Sequence, residues 1–319
     1  MASGARAGAT RSVTKVVVDG PRASVGDVAA RTLRRRFETV WSALQGACGP
    51  RHDADCVHRL RVATRRTIAA LAAFRGLLPA KRRAWFEKRL RRIRRAAGNA
   101  RDLDVLTERL TRHAGDEPVR QPGAAGRRRL VAMLSRQRVG SRQPIHAAME
   151  RLVASDWQGR VERLVDAVAD GDDADEVFEV YARRRFRRLM GRFFDRVDRR
   201  LHADAEIHAL RIEGKKLRYA LEIFAPVFPP RVTAKCAKAL ERLQEHLGEF
   251  TDHAAAADRL RRWSRQEGVD NARTAIIALK KTESAGADRA RRAFVKWWNP
   301  SRRRSLRRRF ERTLRRDTA

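Results

Sequence analysis

Cysteine is scarce and its spacing is uninformative. Cys48, Cys56 and Cys236 are the only three in 319 residues. An odd, scattered set supplies neither a disulfide framework nor zinc-ligand spacing. A reducing, cytoplasmic setting is therefore the expectation. No apolar run reaches the roughly 18 residues a membrane-spanning helix needs. The short apolar run Val16-Val17-Val18 does not make the core of a secretory signal. Aromatic residues are only 6% of the chain. They are not interleaved with basic residues, which argues against a stacking platform for single-stranded nucleic acid. Strand-like alternation is almost absent, which excludes a β architecture. Negative charge is also short: 38 Asp and Glu stand against 73 Lys and Arg, for a net charge of +35.

What is present follows from that imbalance. Such a charge describes partners rather than fold, and it favours a polyanion: nucleic acid, polyphosphate or an anionic membrane surface. Lysine supplies only 10 of the basic residues and arginine the other 63. A planar guanidinium can bind two phosphate oxygens at once. With 43% apolar residues the chain can bury a core, so it is more than a basic tail.

Apolar periodicity is helical nearly throughout, and most prolines stand where it stops. The fold class expected is all-α. Residues 1–23 are small, basic and aperiodic, and read as a disordered N-terminus. A first helical half covers 24–169, a second 170–299, and 300–319 form an Arg-rich C-terminal helix or tail. A loop is expected over about 114–127, and Asp170-Gly171-Asp172-Asp173 marks a further break. A calcium loop starting there fails, because Asp175 stands where glycine is needed and Tyr181 where glutamate is.

The chain repeats itself. Shifted by 150 positions, VHRLRVATRRTIAALAAFRGLLP (57–79) registers without a gap on IHALRIEGKKLRYALEIFAPVFP (207–229). His58 falls on His208, Arg61 on Arg211, and the pair Arg65-Arg66 on Lys215-Lys216. Farther along, Arg92, Gly98 and Asp102 fall on Arg242, Gly248 and Asp252. Arg34-Arg35-Arg36-Phe37 echoes Arg183-Arg184-Arg185-Phe186 at an offset of 149. Two similar halves are therefore expected, as antiparallel helix bundles related by a pseudo-two-fold axis.

At 100° per residue, Val57, Leu60, Thr64, Thr67, Ile68, Leu71 and Phe74 form one buried stripe. His58, Arg61 and Arg65 share an arc of about 60° beside it, with Arg66 well outside that arc. The second copy repeats the pattern with His208, Arg211 and Lys215, flanked by Arg218 and Tyr219. Cations stacked at this spacing repel by a few tenths of a kcal/mol per pair, and a bound anion relieves them. On one helix this reads as a solvated Arg-rich face; its recurrence at a fixed offset favours a binding surface. Metal ligation is disfavoured, because arginine and apolar residues stand at the i+3 and i+4 positions from both histidines.

The sequences VHRLRVATRR and IHALRIEGKKLRYALEIF, with GNARDLDVL (98–106) and LGEFTDHAA (247–255), resemble the CHAD family, the histidine α-helical domain. The resemblance covers about residues 24–300. It implies two four-helix bundles around a basic central cleft, binding of inorganic polyphosphate, and association with polyphosphate granules and their proteins. It implies neither a cofactor nor catalysis. Its anion-binding role falls on His58, Arg61, Arg65 and Arg66, and on His208, Arg211, Lys215, Lys216 and Arg218. Arg34, Arg35, Arg184 and Arg185 are expected to line the same cleft from the preceding helices, and Arg92 and Arg101 from the following ones. Thr251 stands in place of Arg101 in the second copy, so the halves differ. The acidic E-x-E-x-K strand motif of a fused triphosphatase domain is missing.

Two rivals remain at this level. Charge alone brings some nucleic-acid adhesion, although no docking motif stands out. A phosphohydrolase would need a nucleophile with its base, or paired carboxylates; His52-Asp53 alone supplies neither. Residues 301–316 carry nine arginines with Leu306, Phe310 and Leu314 at four-residue spacing. That strip either packs on the second bundle or meets a membrane or granule surface. The histidines predict tighter polyphosphate binding at about pH 6 than at about pH 8.

Overall fold

A computed structural model describes residues 22–49, 54–115, 124–198, 203–265 and 270–314, with the side chains of 109–115, 124–127, 270 and 271 left aside. The expectation for a disordered N-terminus therefore lies, over residues 1–21, outside the described residues. So does the centre of the expected loop, 116–123. The described chain is all-α, with one isolated backbone bridge between Ser24 and Val177.

Helix α1 (Val25–Cys48) starts where the Ser24 hydroxyl accepts the Asp27 N–H, a side-chain cap for one orphan donor of the first turn. α2 (Ala54–Ala73) and α3 (Ala80–Gly115) follow, then α4 (Ala124–Gly140), α5 (Gln143–Ala154) and α6 (Trp157–Ala169). The second half contains α7 (Phe178–Val197), α8 (Asp204–Phe224), α9 (Pro230–Trp263), α10 (Asp270–Trp297) and α11 (Pro300–Leu314). Pro144, Pro230 and Pro300 sit in first helical turns, where the missing N–H has no helical partner to lose.

One apolar core runs through both halves, built from α1–α3 and α5–α11. Phe74 of α2's end meets its register counterpart Phe224 edge-on, with ring centroids 6.1 Å apart. Contact between equivalent residues is what an isologous arrangement of two copies requires. The starts of α1 and α7 are laced together: Val25 N–H donates to Glu176, Gly26 N–H to Ala174, and Phe178 N–H to Ala23.

Arg36 and Arg185, equivalent at the 149 offset, both cross between halves. Arg36 reaches the Glu222 carboxylate of α8 at 2.8 Å, and Arg185 donates to the Ala72 carbonyl of α2 at 2.5 Å. α3 and α9 run past this core as long arms. Their far ends pack with α4 and α10 in a second cluster built on Leu103, Leu106, Leu130, Leu134, Leu260 and Ile276.

α11 packs on α7 and α9, with Leu306 and Phe310 buried. Phe310 lies against Phe186, Phe193 and Phe194. A boundary at 299 therefore cuts this helix from the bundle it packs on.

Candidate functional site

The central feature is a cleft between α2 and α8, walled by α3 and α9, with a volume of about 340 Å³. Arg61 and Arg65 enter from α2, Arg211, Lys215 and Arg218 from α8, Arg101 from α3 and Arg259 from α9. Four carboxylates, Asp102, Glu241, Glu245 and Asp252, share the walls, so cations exceed anions.

The repeat builds this site twice. Arg61 lies over Gly98, where an added Cβ would stand 3.3 Å from Nη1; Arg211 lies over Gly248 with the same 3.3 Å to Nη2. A Cβ at either glycine would crowd the guanidinium and make it give by a few tenths of an ångström, so the hydrogen there sets how closely α3 and α9 pass. Arg61 Nη1 donates to the Arg94 carbonyl of α3 at 3.2 Å. Asp252, one turn beyond Gly248, stands 4.0 Å from Arg211. Asp102, its counterpart, is taken instead by Arg259, which donates to Asp102 at 2.7 Å and to Asn99 at 2.8 Å. That contact ties α9 to α3 across the cleft.

Several donors have no protein acceptor. The Nε atoms of Arg65, Arg211 and Arg218 are buried without a hydrogen-bond partner among the described residues. Leaving a buried donor unpaired costs about 1–3 kcal/mol.

The electrostatics carry the same strain. Burial, then the charges of Arg211 and Arg65, pull the Lys215 ammonium down to about 7, against the smaller opposing pull of Asp252. Burial, followed by Arg101 and Arg65, lowers the His58 imidazole. Burial first, and neighbouring guanidiniums after it, also lowers Arg61 and Arg211.

Seven of the residues singled out from sequence line this cleft: His58, Arg61, Arg65, Arg101, Arg211, Lys215 and Arg218. The others are elsewhere. His208 is exposed and outside the lining. Arg66, over 90° around the wheel from the basic arc, points to Glu222 at 3.3 Å. Lys216 pairs with Glu213 on its own helix at 2.6 Å.

The expectation that Arg34, Arg35, Arg184, Arg185 and Arg92 line the cleft is corrected by the structure. Arg34 pairs with Glu162 of α6, Arg184 with Glu176, and Arg185 with the Ala72 carbonyl; Arg35 is exposed on α1. These residues sit on the first helix of each half, one layer behind the cleft. Arg92 is nine positions from Arg101, half a turn around the same helix, and opens onto a groove between α3 and α5.

The sequence reading missed Arg259 and Gln244, while Tyr219 was placed beside the basic arc and does line the cleft. Extending the repeat would have marked Arg259, which registers on Arg109. Gln244 donates to the Arg211 carbonyl at 3.3 Å. Tyr219 is buried beside Arg218, whose guanidinium lies 5.0 Å from its ring.

The family model described as the CHAD domain matches residues 29–261. No curated protein matches the chain. Among solved structures, the CHAD domain from the plant Ricinus communis has 22% identity and a TM-score of 0.65, covering 88% of this chain and 94% of that one. PptA from Streptomyces chartreusis has 20% identity and a TM-score of 0.61, covering 86% and 99% respectively. At such identities the likeness is one of fold.

Proposed function

The chain belongs to the CHAD-domain family, and on that footing we propose that it binds inorganic polyphosphate in the cleft between α2 and α8. One observation carries this reading: basic rows from both halves converge on a single cavity. Polyphosphate is a flexible chain with about one negative charge per residue. It offers no base to stack on and no sequence to read, so recognition rests on charge density and forked donors held on a rigid frame. Arg61 and Arg211, seated over Gly98 and Gly248, are such donors.

The reading is of binding without turnover, in association with polyphosphate granules. Two of the cleft's four carboxylates face its arginines: Asp102 holds Arg259 and Asp252 faces Arg211. Orthophosphate release from polyphosphate with added Mg²⁺ or Mn²⁺ would overturn this part of the proposal.

Binding by phosphate contacts releases counterions, so affinity falls steeply with salt. The deciding experiment is competition at physiological salt between long polyphosphate, tripolyphosphate and duplex DNA. Wild type and an Arg61→Gln/Arg211→Gln variant are compared. The expected result is loss of polyphosphate binding in the variant, greatest for the long chain, with duplex DNA little changed. The variant's salt slope should be shallower by about two, roughly one for each phosphate contact removed. Equal loss of all three ligands means bulk charge and refutes a defined cleft.

A further inference from the structure

Arg92 and Arg242 are equivalent by register and neither lines the central cleft. Each opens instead onto an outer groove. Arg92 shares its groove with Arg95 and Arg151. Arg242 shares a cavity of about 350 Å³ with Arg302 and Arg309 of α11. Neither lining includes a carboxylate, whereas the central cleft has four. The two arginine trios share one register-equivalent member, Arg92 and Arg242, and neither has a counter-ion in its lining.

The groove of the second half is the more developed. Ser301 and Ser305 add hydroxyls to its wall, and Trp297 and Trp298 form its floor. Trp298 is 5% exposed, and its indole N–H is buried with no acceptor among the described residues. Buried indole N–H groups normally find a partner. Arg302 lies over the Trp297 ring, 4.5 Å from its centroid. That contact is weaker than a charge-assisted bond to phosphate.

We propose that each half carries a second anion site on its outer flank, and that the groove between α9, α10 and α11 takes a short segment of condensed phosphate on Arg242, Arg302 and Arg309. This rests on the reading that condensed phosphate is the chain's ligand, but it uses residues separate from the central site. A molecule with central and flanking sites holds one long chain at several points, or bridges two, with the avidity that linkage supplies.

Tripolyphosphate is the probe, followed by calorimetry and by tryptophan fluorescence. When phosphate draws Arg302 away from Trp297, the emission of Trp297 changes. The response is expected in wild type and in Arg61→Gln/Arg211→Gln. It should be lost in Arg242→Gln/Arg302→Gln/Arg309→Gln and in Trp297→Phe. The groove variant should lose one class of calorimetric sites and keep the central class, which also reports that it is folded.

A charge-matched control, Arg187→Gln/Arg188→Gln/Arg192→Gln on the exposed face of α7, should keep both classes. The proposal is overturned if the groove variant binds tripolyphosphate as wild type does, or if the control loses as much. Should Arg61→Gln/Arg211→Gln leave all binding intact while the groove variant abolishes it, the central reading fails and the flank site stands.

Discussion

Lys215 is the residue at which the two halves differ most consequentially. Its counterpart is Arg65, a guanidinium that keeps its charge when buried; an ammonium in the same surroundings does not. The free protein holds Lys215 near 7 and His58 below the ordinary imidazole value. A bound anion offsets the guanidinium charges that depress both groups, so both pKa values rise on binding and protons are taken up. For Lys215 the bound state holds more protons from about 7 upward. Affinity should therefore weaken as pH rises above about 7 and flatten below it, with His58 adding a smaller slope on the acid side. Calorimetry in buffers of different ionisation enthalpy measures the uptake. Lys215→Gln should remove most of it above about pH 7, and an undiminished uptake in that variant would exclude Lys215 as its source. The sequence pointed to the histidines for this pH response. Which groups lose water and which sit beside Arg101 depends on neighbouring helices, so the role of Lys215 could not be read from its own segment.

At the scale of helices, the glycines on α3 and α9 decide how closely the arginines of α2 and α8 approach. Gly98→Ala/Gly248→Ala should raise helix stability, by up to about 1 kcal/mol per site from propensity. Each new Cβ would also displace a guanidinium by a few tenths of an ångström. The outcome expected is a thermal midpoint equal to or above wild type with polyphosphate affinity several-fold weaker. Unchanged affinity would mean that the seat on glycine does not set the donor position. Gly98 and Gly248 were visible in the repeat as matched letters, but their purpose appears only when the facing helix is in place. α11 shows the same limit. Its strip at Leu306 and Phe310 was legible as amphipathic, while the aromatic cluster of Phe186, Phe193 and Phe194 that covers it comes from α7.

Across the whole molecule, the halves are fastened behind the cleft by a cluster in which Glu222 of α8 takes Arg36 of α1 at 2.8 Å and Arg66 of α2 at 3.3 Å. The Glu222 side chain is 17% exposed and Arg36 only 10%. Glu222→Gln keeps the shape but leaves two half-buried guanidiniums without an anion. It should cost about 3 kcal/mol, the range found when one member of a buried pair is removed. Urea unfolding followed by circular dichroism measures it, and a loss below about 1 kcal/mol would show the cluster to be solvated. The all-helical class, the duplication and the basic arcs on α2 and α8 were determined by the sequence alone, because periodicity and register are properties of one chain segment at a time. Tertiary structure alone decided which arginines share the cleft, which brace the halves and which face the flanks. A guanidinium's role is set by what stands opposite it, and those partners come from helices distant in the chain.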